Sequence, residues 1–510
     1  MKKEVPQGWA IGERGFRLTT EMSPLLYKYY YAPTTGKAMW EGFQRFKGFH
    51  IFDKAHVVML TEERIIPKEV GIEILKALKQ MEREGIEKAG EELGGMYCGE
   101  AYVTKVLGPE IGGWVHCGRS SGDLVGVSYR VDARDAEIVV MKELIKIRET
   151  FLKRAEEHIN TIMPGYSHLQ HAEPITFAFY LLSWVHQFER DFERFQGAYK
   201  HTNISPAGCA ILTTSDFPIN RKRTQELLGF DDIYTNARDA IWTVDYLLEL
   251  LGALMGTAGA LGKLADDLEI WHTSEFSLIE QPDAFCGTSS IMPQKKNSLG
   301  TECVRGLNGD VIGNVMAFLA VTKGQSESGE SWAMAPFYLY NAAESCLAAL
   351  QIMEGIVRDL KVNKEIMKER AGMFWTQATS LANTMVREKK IPFRMAHQIV
   401  GGLVKTTYEE GKKPEDVTPE MVDKAAREFG SEPLHLDDDT VRKALDPPTI
   451  VASKKAIGGT APERVKEDIA SGLKRIKEDE KVVATLEAKL ATAEKNLGAA
   501  IDRIIGEHRQ

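Results

Sequence analysis

The stretch RDAIWTVDYLLELLGALMGTAGALGKLADDLEIW (Arg238–Trp271) determines the predicted fold. Its leucines recur mainly at steps of three, four and seven residues, which is the spacing of one face of an α-helix. Four other stretches share this pattern, and each is longer than the mean helix of about 11–12 residues. Such long, largely apolar helices predict an all-α protein with a long central helical bundle. The other stretches are Glu137–Met163, Pro174–Lys200, Asn297–Lys323 and Pro336–Glu369.

The composition limits the classes of function. The 510 residues carry a formal net charge of −9 and no basic block, which argues against a nucleic acid or a membrane surface as partner. The longest uncharged apolar stretch, Leu250–Gly262, is shorter than the about 20 residues that span a bilayer. Residues 1–15 lack the apolar segment of a signal peptide. The six cysteines lack CxxC spacing, which argues against a metal site and suits a cytoplasmic protein. We expect no organic cofactor, because the sequence has no P-loop and no Gly-rich dinucleotide turn.

Turn-rich segments between the helices are the places where functional side chains are expected. The most informative segment is GTSSIMPQKKNSLGTE (Gly287–Glu302), in which a loop rich in Gly, Ser and Thr leads through two lysines to a helix start. Backbone N–H groups at a helix N-terminus and a nearby lysine together form a binding site for an anion. A flexible loop with an N-capping Ser or Asn gives the same pattern. From the residues alone, both interpretations remain open.

Several motifs resemble those of a known family. The segment GTSSIMPQKKN closely resembles the signature of the fumarase/aspartase superfamily, and the longer PDAFCGTSSIMPQKKNS resembles its argininosuccinate lyase branch. The resemblance extends over about residues 39–465 and includes four further motifs in the order of the family. These are MPGYSHLQHAEPITFAFYLLSWVHQFERD (163–191), SPAGCAILTTSDFPINRKRTQELLGF (205–230), REKKIPFRMAHQIVG (387–401) and GGTAPERV (458–465). The chain is therefore identified as a member of this superfamily.

The resemblance implies a three-domain fold. The expected domains are an N-terminal helical domain (1–118), the central bundle (119–371) and a C-terminal helical domain with an extra C-terminal helix (372–510). It also implies a homotetramer whose active sites are shared between subunits and bind a small anionic substrate with a succinyl or fumarate moiety. The long helices agree with this, since they are too apolar for one bundle to bury. The pattern within Val465–Gln510 predicts an amphipathic helix that packs either on its own domain or against another subunit.

The chemistry implied by the resemblance is a β-elimination that forms fumarate through an aci-carboxylate intermediate. Ser289 corresponds to the base of the family. Lys295 and Asn297 correspond to the residues that bind the substrate carboxylate and stabilise the negative charge of the intermediate. His168 corresponds to the acid or proton relay, and Glu302 to the carboxylate that orients it. The predicted catalytic residues are therefore Ser289, His168, Glu302 and Lys295.

Residues beside these positions are predicted to contact the substrate. Ser290 is the rival of Ser289 for the role of base, whereas Lys296 is expected to face solvent. Asp123, in the segment that corresponds to the first signature of the family, is expected to be structural. The predicted substrate-binding residues are Ser120, Ser121, Arg119, Ser167, Ser290, Met292, Asn297 and Gln170.

The chain departs from the argininosuccinate lyase pattern where the amine half of the substrate would lie. R-S-R-N-D becomes R-S-S-G-D at Arg119–Asp123, and D-A-V-S-D-R-D becomes D-A-I-W-T-V-D at Asp239–Asp245. The loop Lys323–Pro336 lacks the Tyr and the Lys that the family has at the places that hold the arginine portion. Each lost hydrogen bond to an amino-acid head group costs roughly 1–3 kcal/mol. We therefore predict a carbon–nitrogen lyase that releases another amine from an N-substituted aspartate, as ethylenediamine-disuccinate lyase does. Trp242 or Trp332 would line its amine pocket.

Three alternatives remain open from the sequence. The chain is an argininosuccinate lyase with compensating contacts, a non-catalytic structural protein like the lens crystallins of this family, or an enzyme of intramolecular elimination or cycloisomerisation. Retention of Ser289, Lys295, Asn297, His168 and Glu302 argues against the structural protein, because a scaffold requires the helices but not these side chains. The cycloisomerase differs from the lyase only in the leaving group, which the sequence does not reveal.

Overall fold

The computed structural model describes residues 20–26, 44–327 and 329–506, with the backbone alone at 330–333. The remainder of the predicted first domain, residues 1–19 and 27–43, lies outside the described residues, as do 507–510. The described residues form twenty α-helices and eight strands of two to seven residues, so the prediction of a helical fold is confirmed.

The N-terminal region contains six helices. They are α1 (Pro24–Leu26), α2 (Lys47–Glu62), α3 (Lys68–Glu84), α4 (Ile86–Leu93), α5 (Cys98–Leu107) and α6 (Pro109–Gly112). The central region contains the long helices. They are α7 (Ser121–Glu157), α8 (Phe177–Thr202), α9 (Arg221–Leu228), α10 (Ala237–Trp242), α11 (Asp245–His272), α12 (Leu299–Val321) and α13 (Gly329–Asp359).

The C-terminal region contains seven helices. They are α14 (Lys364–Ala371), α15 (Ala378–Lys389), α16 (Phe393–Glu409), α17 (Pro419–Glu428), α18 (Asp438–Leu445), α19 (Pro447–Ser453) and α20 (Pro462–Ile505). Short 3-10 turns lie at Gly95–Tyr97, Gly113–His116, Asp283–Phe285 and Pro414–Asp416.

The strands form four two-stranded sheets at the ends of the helices. The antiparallel pairs are β1 (Ile162–Ser167) with β2 (Gln170–Thr176), β5 (Ile279–Glu280) with β8 (Lys361–Val362), and β6 (Gly287–Thr288) with β7 (Lys296–Asn297). The parallel pair is β3 (Ile204–Ser205) with β4 (Asp232–Ile233).

Several predicted helix boundaries were wrong. Pro174 does not begin a helix but lies in β2, because the Oγ1 of Thr176 accepts the N–H of Phe179 and starts α8 at the next residue. The predicted helix 238–271 is interrupted, since Thr243 has an extended backbone between α10 and α11. Pro336 lies inside α13, which begins at Gly329. The periodicity therefore predicted that these helices exist, but local caps and breaks place their ends at other residues than predicted.

Buried apolar side chains form three large clusters. The central cluster joins α7, α8, α11, α12 and α13. The N-terminal cluster joins α2, α3, α5 and the first half of α7. The C-terminal cluster joins α15 to α18. The helix α7 joins two of them, since its first turns pack in the N-terminal cluster and the remainder packs in the central one.

The long helix α20 packs on its own chain, but on the central and N-terminal clusters and not on its own predicted domain. It was assigned to the third domain by sequence, but its apolar face completes the other two clusters. Val465, Ile469, Ile476 and Val483 join the central cluster, and Leu497, Ala500, Ile501 and Ile504 join the N-terminal one. A buried ion pair fixes its middle, where Nη1 of Arg148 lies 2.6 Å from Oδ2 of Asp479.

Among the described helices, one is long and apolar enough to cross a membrane by length and composition alone. This helix is α11, of 28 residues, and 61% of its most apolar window is buried inside the protein. Its leucines other than Leu248 belong to the central cluster. The helix therefore serves as the core of the bundle, as its pattern predicted.

Candidate active site

The segment that resembles the superfamily signature forms a small β-hairpin. Gly287 pairs with Asn297 and Thr288 with Lys296, so that β6 and β7 are the stem. One residue further, the N–H of Ser289 donates to the carbonyl of Lys295 at 3.3 Å. Residues 290–295 form the tip and are exposed to solvent. Ser289 therefore lies where a fixed stem meets an exposed tip.

The two adjacent serines have different surroundings. The Oγ of Ser289 accepts the backbone N–H of Ile291 at 3.3 Å and that of Met292 at 3.0 Å. Two donors aimed at one oxygen stabilise its deprotonated form. Ser290 is exposed to solvent. The geometry thus favours Ser289 over Ser290 as the base.

Lys296 was expected to face solvent, and this expectation was wrong. Its Nζ lies 2.9 Å from Oε1 of Glu280 and 2.7 Å from Oδ1 of Asp283, and its side chain is only 4% exposed. Burial lowers the pKa of Lys296, but hydrogen bonds to Asp283 and Glu280 outweigh burial, and the net shift is upward. Lys295, by contrast, is exposed at the tip. The two-residue strand that turns Lys296 inward is too short for the sequence to mark it, so the direction of this side chain was missed.

His168 lies at the tip of the β1–β2 hairpin. The turn consists of His168 and Leu169, which both have a left-handed backbone, with φ of 56° and 58°. This geometry matches the right-handed twist of the flanking strands. Ser167 and Gln170 form the closing pair of the hairpin, and all four residues are exposed. The imidazole of His168 therefore lies on the outer surface of the subunit.

Glu302 and Asn297 lie at the start of α12. Asn297 is half-buried in β7, and Glu302 is exposed in the first turn of the helix, where the helix dipole favours a negative charge. The expected pairing of Glu302 with His168 stays a prediction, since the two residues belong to separate elements whose side chains both point outward from this chain.

The segment that precedes α7 contains the other predicted contacts. Ser120 is the N-cap of the helix, and its backbone N–H donates to Oδ2 of Asp123 at 2.8 Å. Ser121, the first helical residue, is half-buried. Asp123 is fully buried and also accepts the N–H of Ala210, so it is structural, as expected. A helix N-terminus with two serines thus lies at the position of the first signature.

Arg119 was predicted to contact the substrate, but the structure gives it another environment. Its side chain is buried, and Nη1 lies 2.5 Å from Oδ1 of the buried Asp53. Its Nη2 is 3.8 Å from Oε2 of Glu100. Because a buried charge requires a partner, this ion pair fixes the segment before α7 and leaves the guanidinium inside the protein. The prediction for Arg119 is corrected accordingly.

The three segments that carry the departures from the argininosuccinate lyase pattern adjoin each other through neighbouring residues. A Cβ atom at Gly122 would lie 2.4 Å from Cδ1 of Ile241, so glycine allows α10 to approach α7 closely. Arg238, also on α10, donates to Oγ of Ser326 at 3.0 Å, which joins α10 to the loop before α13. Trp242 ends α10, and its Nε1 has no hydrogen-bond partner among the described residues. The side chain of Trp332 lies outside the described part.

The predicted site is therefore distributed over three elements of one chain. These elements are the N-terminus of α7, the β1–β2 hairpin and the β6–β7 hairpin with the start of α12. Two open cavities of about 730 and 560 Å³ are lined by other residues. Among the described residues, no group of three or more His, Cys, Asp and Glu side chains could hold a metal ion.

Comparisons with known proteins place this geometry in a family. The family model for lyases matches residues 57–313, and the model for the argininosuccinate lyase C-terminal region matches residues 375–452. The argininosuccinate lyase of Methanocaldococcus jannaschii is 38% identical over 84% of this chain and 88% of its own length. That of Methanosarcina acetivorans is 36% identical over 88% of this chain and 91% of its own length.

Solved structures give the same fold. EDDS lyase in complex with formate superposes with a TM-score of 0.89 at 28% identity and covers 96% of this chain and 97% of its own. The fumarate lyase from Mesorhizobium sp. BNC1 has a TM-score of 0.69 at 18% identity, covers 86% of this chain and 100% of its own, and shows the fold alone. The chain belongs to the argininosuccinate lyase-like branch of the fumarase/aspartase superfamily and is a carbon–nitrogen lyase.

Proposed function

We propose that the enzyme eliminates an amine other than arginine from an N-substituted aspartate and forms fumarate. The observation that carries this proposal is that the three segments with departures adjoin each other. Gly122 approaches Ile241, which directly precedes the replaced Trp242, and Arg238, at the start of the same helix, bonds to Ser326. Neutral substitutions would be scattered over separate surfaces. Substitutions grouped on one side of a binding pocket, in contrast, change which amine fits there, and we call this group the wall of the amine pocket. The half-buried Trp242, with an indole N–H that lacks a partner among the described residues, belongs to this wall.

The proposed mechanism begins with the alkoxide of Ser289, which removes a proton from the carbon next to a carboxylate. The C–H electron pair moves into that carboxylate and gives the doubly charged aci-carboxylate. Lys295 and Asn297 stabilise this charge through a cation and a hydrogen-bond donor. The electron pair then returns to form the double bond of fumarate and expels the amine, which accepts a proton from His168. Glu302 holds the imidazole in the orientation that this transfer requires.

We also propose that the enzyme works as a homotetramer with shared sites. Apolar side chains that one bundle would normally cover are exposed on three neighbouring helices: Leu248 and Met255 on α11, Ile312, Met316 and Leu319 on α12, and Phe337 on α13. Exposed apolar patches of this kind mark protein interfaces. The same face of α12 carries three glycines whose surroundings are open within 4 Å: Gly306, Gly309 and Gly313. Open glycines allow helices of different subunits to approach closely.

Argininosuccinate itself is the second candidate substrate. The argininosuccinate lyases that match are 36–38% identical, whereas the EDDS lyase structures are 28–29% identical. Overall identity reflects the whole chain, however, and the amine is selected by a few side chains of one wall. Similarity to these relatives therefore supports the reaction class more strongly than the identity of the amine.

The test is an assay of the purified enzyme with argininosuccinate and a panel of N-substituted aspartates, in which fumarate is followed by its ultraviolet absorbance. Fumarate from one member of the panel, with argininosuccinate much slower, supports the proposal. Efficient cleavage of argininosuccinate contradicts it and supports the second candidate. The Ser289→Ala variant is the control, because activity from the proposed site should fall steeply with this change, whereas activity from a contaminating enzyme would be unchanged.

A further inference from the structure

The two neighbouring lysines of the β6–β7 hairpin have opposite roles in the structure. In a strand, successive side chains point to opposite faces. Lys296 points into the protein, whereas Lys295 before it is exposed at the tip and Asn297 after it is half-buried in β7. The direction of Lys296 therefore decides the direction of two side chains that the proposed mechanism uses.

Two carboxylates hold the ammonium group of Lys296. Glu280 is in β5, and Asp283 begins the 3-10 turn that follows, so their carboxylates come from the segment beneath the hairpin. Both oxygens lie within 3 Å of Nζ, at 2.9 and 2.7 Å. The ammonium is nearly excluded from water, and an ion pair in such a place is costly to break because each remaining charge would be left buried.

We propose that Lys296 is a positioning residue, whose ion pairs with Glu280 and Asp283 fix the register of the β6–β7 hairpin. Its backbone pairs with Thr288, the residue directly before Ser289. The anchor thus acts on the strand that carries the proposed base as well as on the strand that carries Lys295 and Asn297. The catalytic consequence rests on the proposed function, whereas the fixed register does not.

The need for this anchor follows from the sequence itself. A slip of one residue in a two-stranded pair moves every side chain to the other face. After such a slip, Lys295 would reach Glu280 and Asp283, and the cation would be lost from the substrate side. If the side chain of Lys296 were removed, the slipped pairing would still have an ion pair, because Lys295 would bind the same two carboxylates. Lys295 is thus a competitor for the two carboxylates, and the side chain of Lys296 excludes that competition.

The kinetic test compares Lys296→Met with Lys296→Arg. We expect Lys296→Met to lower kcat about 100-fold, the loss typical of a misplacement by about 1 Å, with KM changed less than about threefold. Lys296→Arg, which retains both ion pairs, should recover most of kcat. The control is Lys361→Met, because Lys361 also lies near Glu280, at 3.9 Å, but is 74% exposed. Equal kcat in wild type and Lys296→Met would overturn the proposal.

Hydrogen exchange of the peptide 287–297 tests the register without any substrate. We expect its stem amides to exchange at least about tenfold faster in Lys296→Met than in wild type or Lys361→Met. If Lys296→Met does not fold, Asp283→Asn, which weakens one of the two ion pairs, should give a smaller change in the same direction. Unchanged exchange in both variants would refute the anchor. A wild type that forms no fumarate would refute the proposed function and leave this measurement decisive.

Discussion

Ser289 and Ser290 show how neighbouring residues of one type acquire different chemistry. A free serine is a poor base, because its alkoxide is unstable in water. The two backbone N–H groups that reach the Oγ of Ser289 offset part of this instability, and Ser290, exposed at the tip, lacks the constraint of the stem. The difference arises from the hairpin and not from the side chain, which is why the sequence left both serines as candidates.

The first prediction concerns this pair. Ser289→Ala should lower kcat about 10³-fold, within the range for loss of a general base. Ser290→Ala should stay within about tenfold of wild type, since it removes at most a substrate contact. Initial rates of fumarate formation with the cleaved substrate measure both effects. If Ser290→Ala were the more damaging variant, the assignment of the base would be reversed.

The second prediction concerns Glu137, which is fully buried on α7 and accepts a hydrogen bond from Thr202 at 2.9 Å. Burial raises the pKa of Glu137 well above its ordinary value. In the unfolded chain this group loses its proton near pH 4.3, whereas the folded chain retains it to higher pH. Wild type therefore loses stability as the pH rises between these two pKa values.

Glu137→Gln removes this titration and keeps the acceptor for Thr202. We expect the free energy of unfolding of the variant to equal that of wild type near pH 4 and to exceed it by about 1 kcal/mol or more at pH 9. Urea unfolding of both proteins at the two pH values measures the difference. Parallel pH profiles would show that Glu137 is already ionised in the folded protein.

At the scale of elements, helices were predictable and short strands were not. The spacing of apolar residues marked all five long helices of the central bundle, because burial of one face imposes that spacing. The strands around the site have two to seven residues, too few to show alternation above chance. The inward direction of Lys296 followed from these unmarked segments and from its ion pair with Asp283. The burial of Arg119 followed from its contact with Asp53, which is 66 positions away in the sequence.

The β1–β2 hairpin yields a prediction about His168. Because its backbone is left-handed, a replacement must tolerate positive φ, and Asn does so better than most residues. His168→Asn should therefore retain the fold while lowering kcat by about 10²–10⁴-fold, as expected for loss of a general acid. Melting temperature and kcat, measured on the same sample, separate the two effects. A variant with normal kcat would remove His168 from the mechanism.

The helix α20 yields a prediction about stability. Asp479→Ala leaves the buried Arg148 without its nearest carboxylate and should cost about 3 kcal/mol, at the lower end of the range because Glu189 remains 3.5 Å away. Glu487→Ala is the matched control, since its ion pair with Lys142 also joins α20 to α7 but is exposed, and should cost less than about 1 kcal/mol. Urea unfolding compares the two. Equal losses would mean that burial of the pair is unimportant.

At the scale of the whole molecule, the exposed faces of α11, α12 and α13 predict assembly. Gly309→Leu should leave the fold of one subunit intact, because its surroundings are open, but should block close approach of another helix. Gly401→Leu is the control, as Gly401 is equally open on α16, away from the bundle. Light scattering should give four subunits for wild type and for the control, and fewer for Gly309→Leu, with lyase activity lost in parallel. A tetrameric Gly309→Leu variant would place the interface elsewhere.

The contacts of α20 have a consequence for how the protein is made. This helix leaves the ribosome after every other described helix, yet it closes two hydrophobic clusters, and its Asp502 bonds to Lys79, which is 423 positions earlier. The nascent chain must therefore wait with two incomplete cores until its synthesis passes residue 505. During that interval the apolar surface of both cores stays exposed, so we expect the chain to depend on chaperones, and a chain that stops before residue 462 to be degraded.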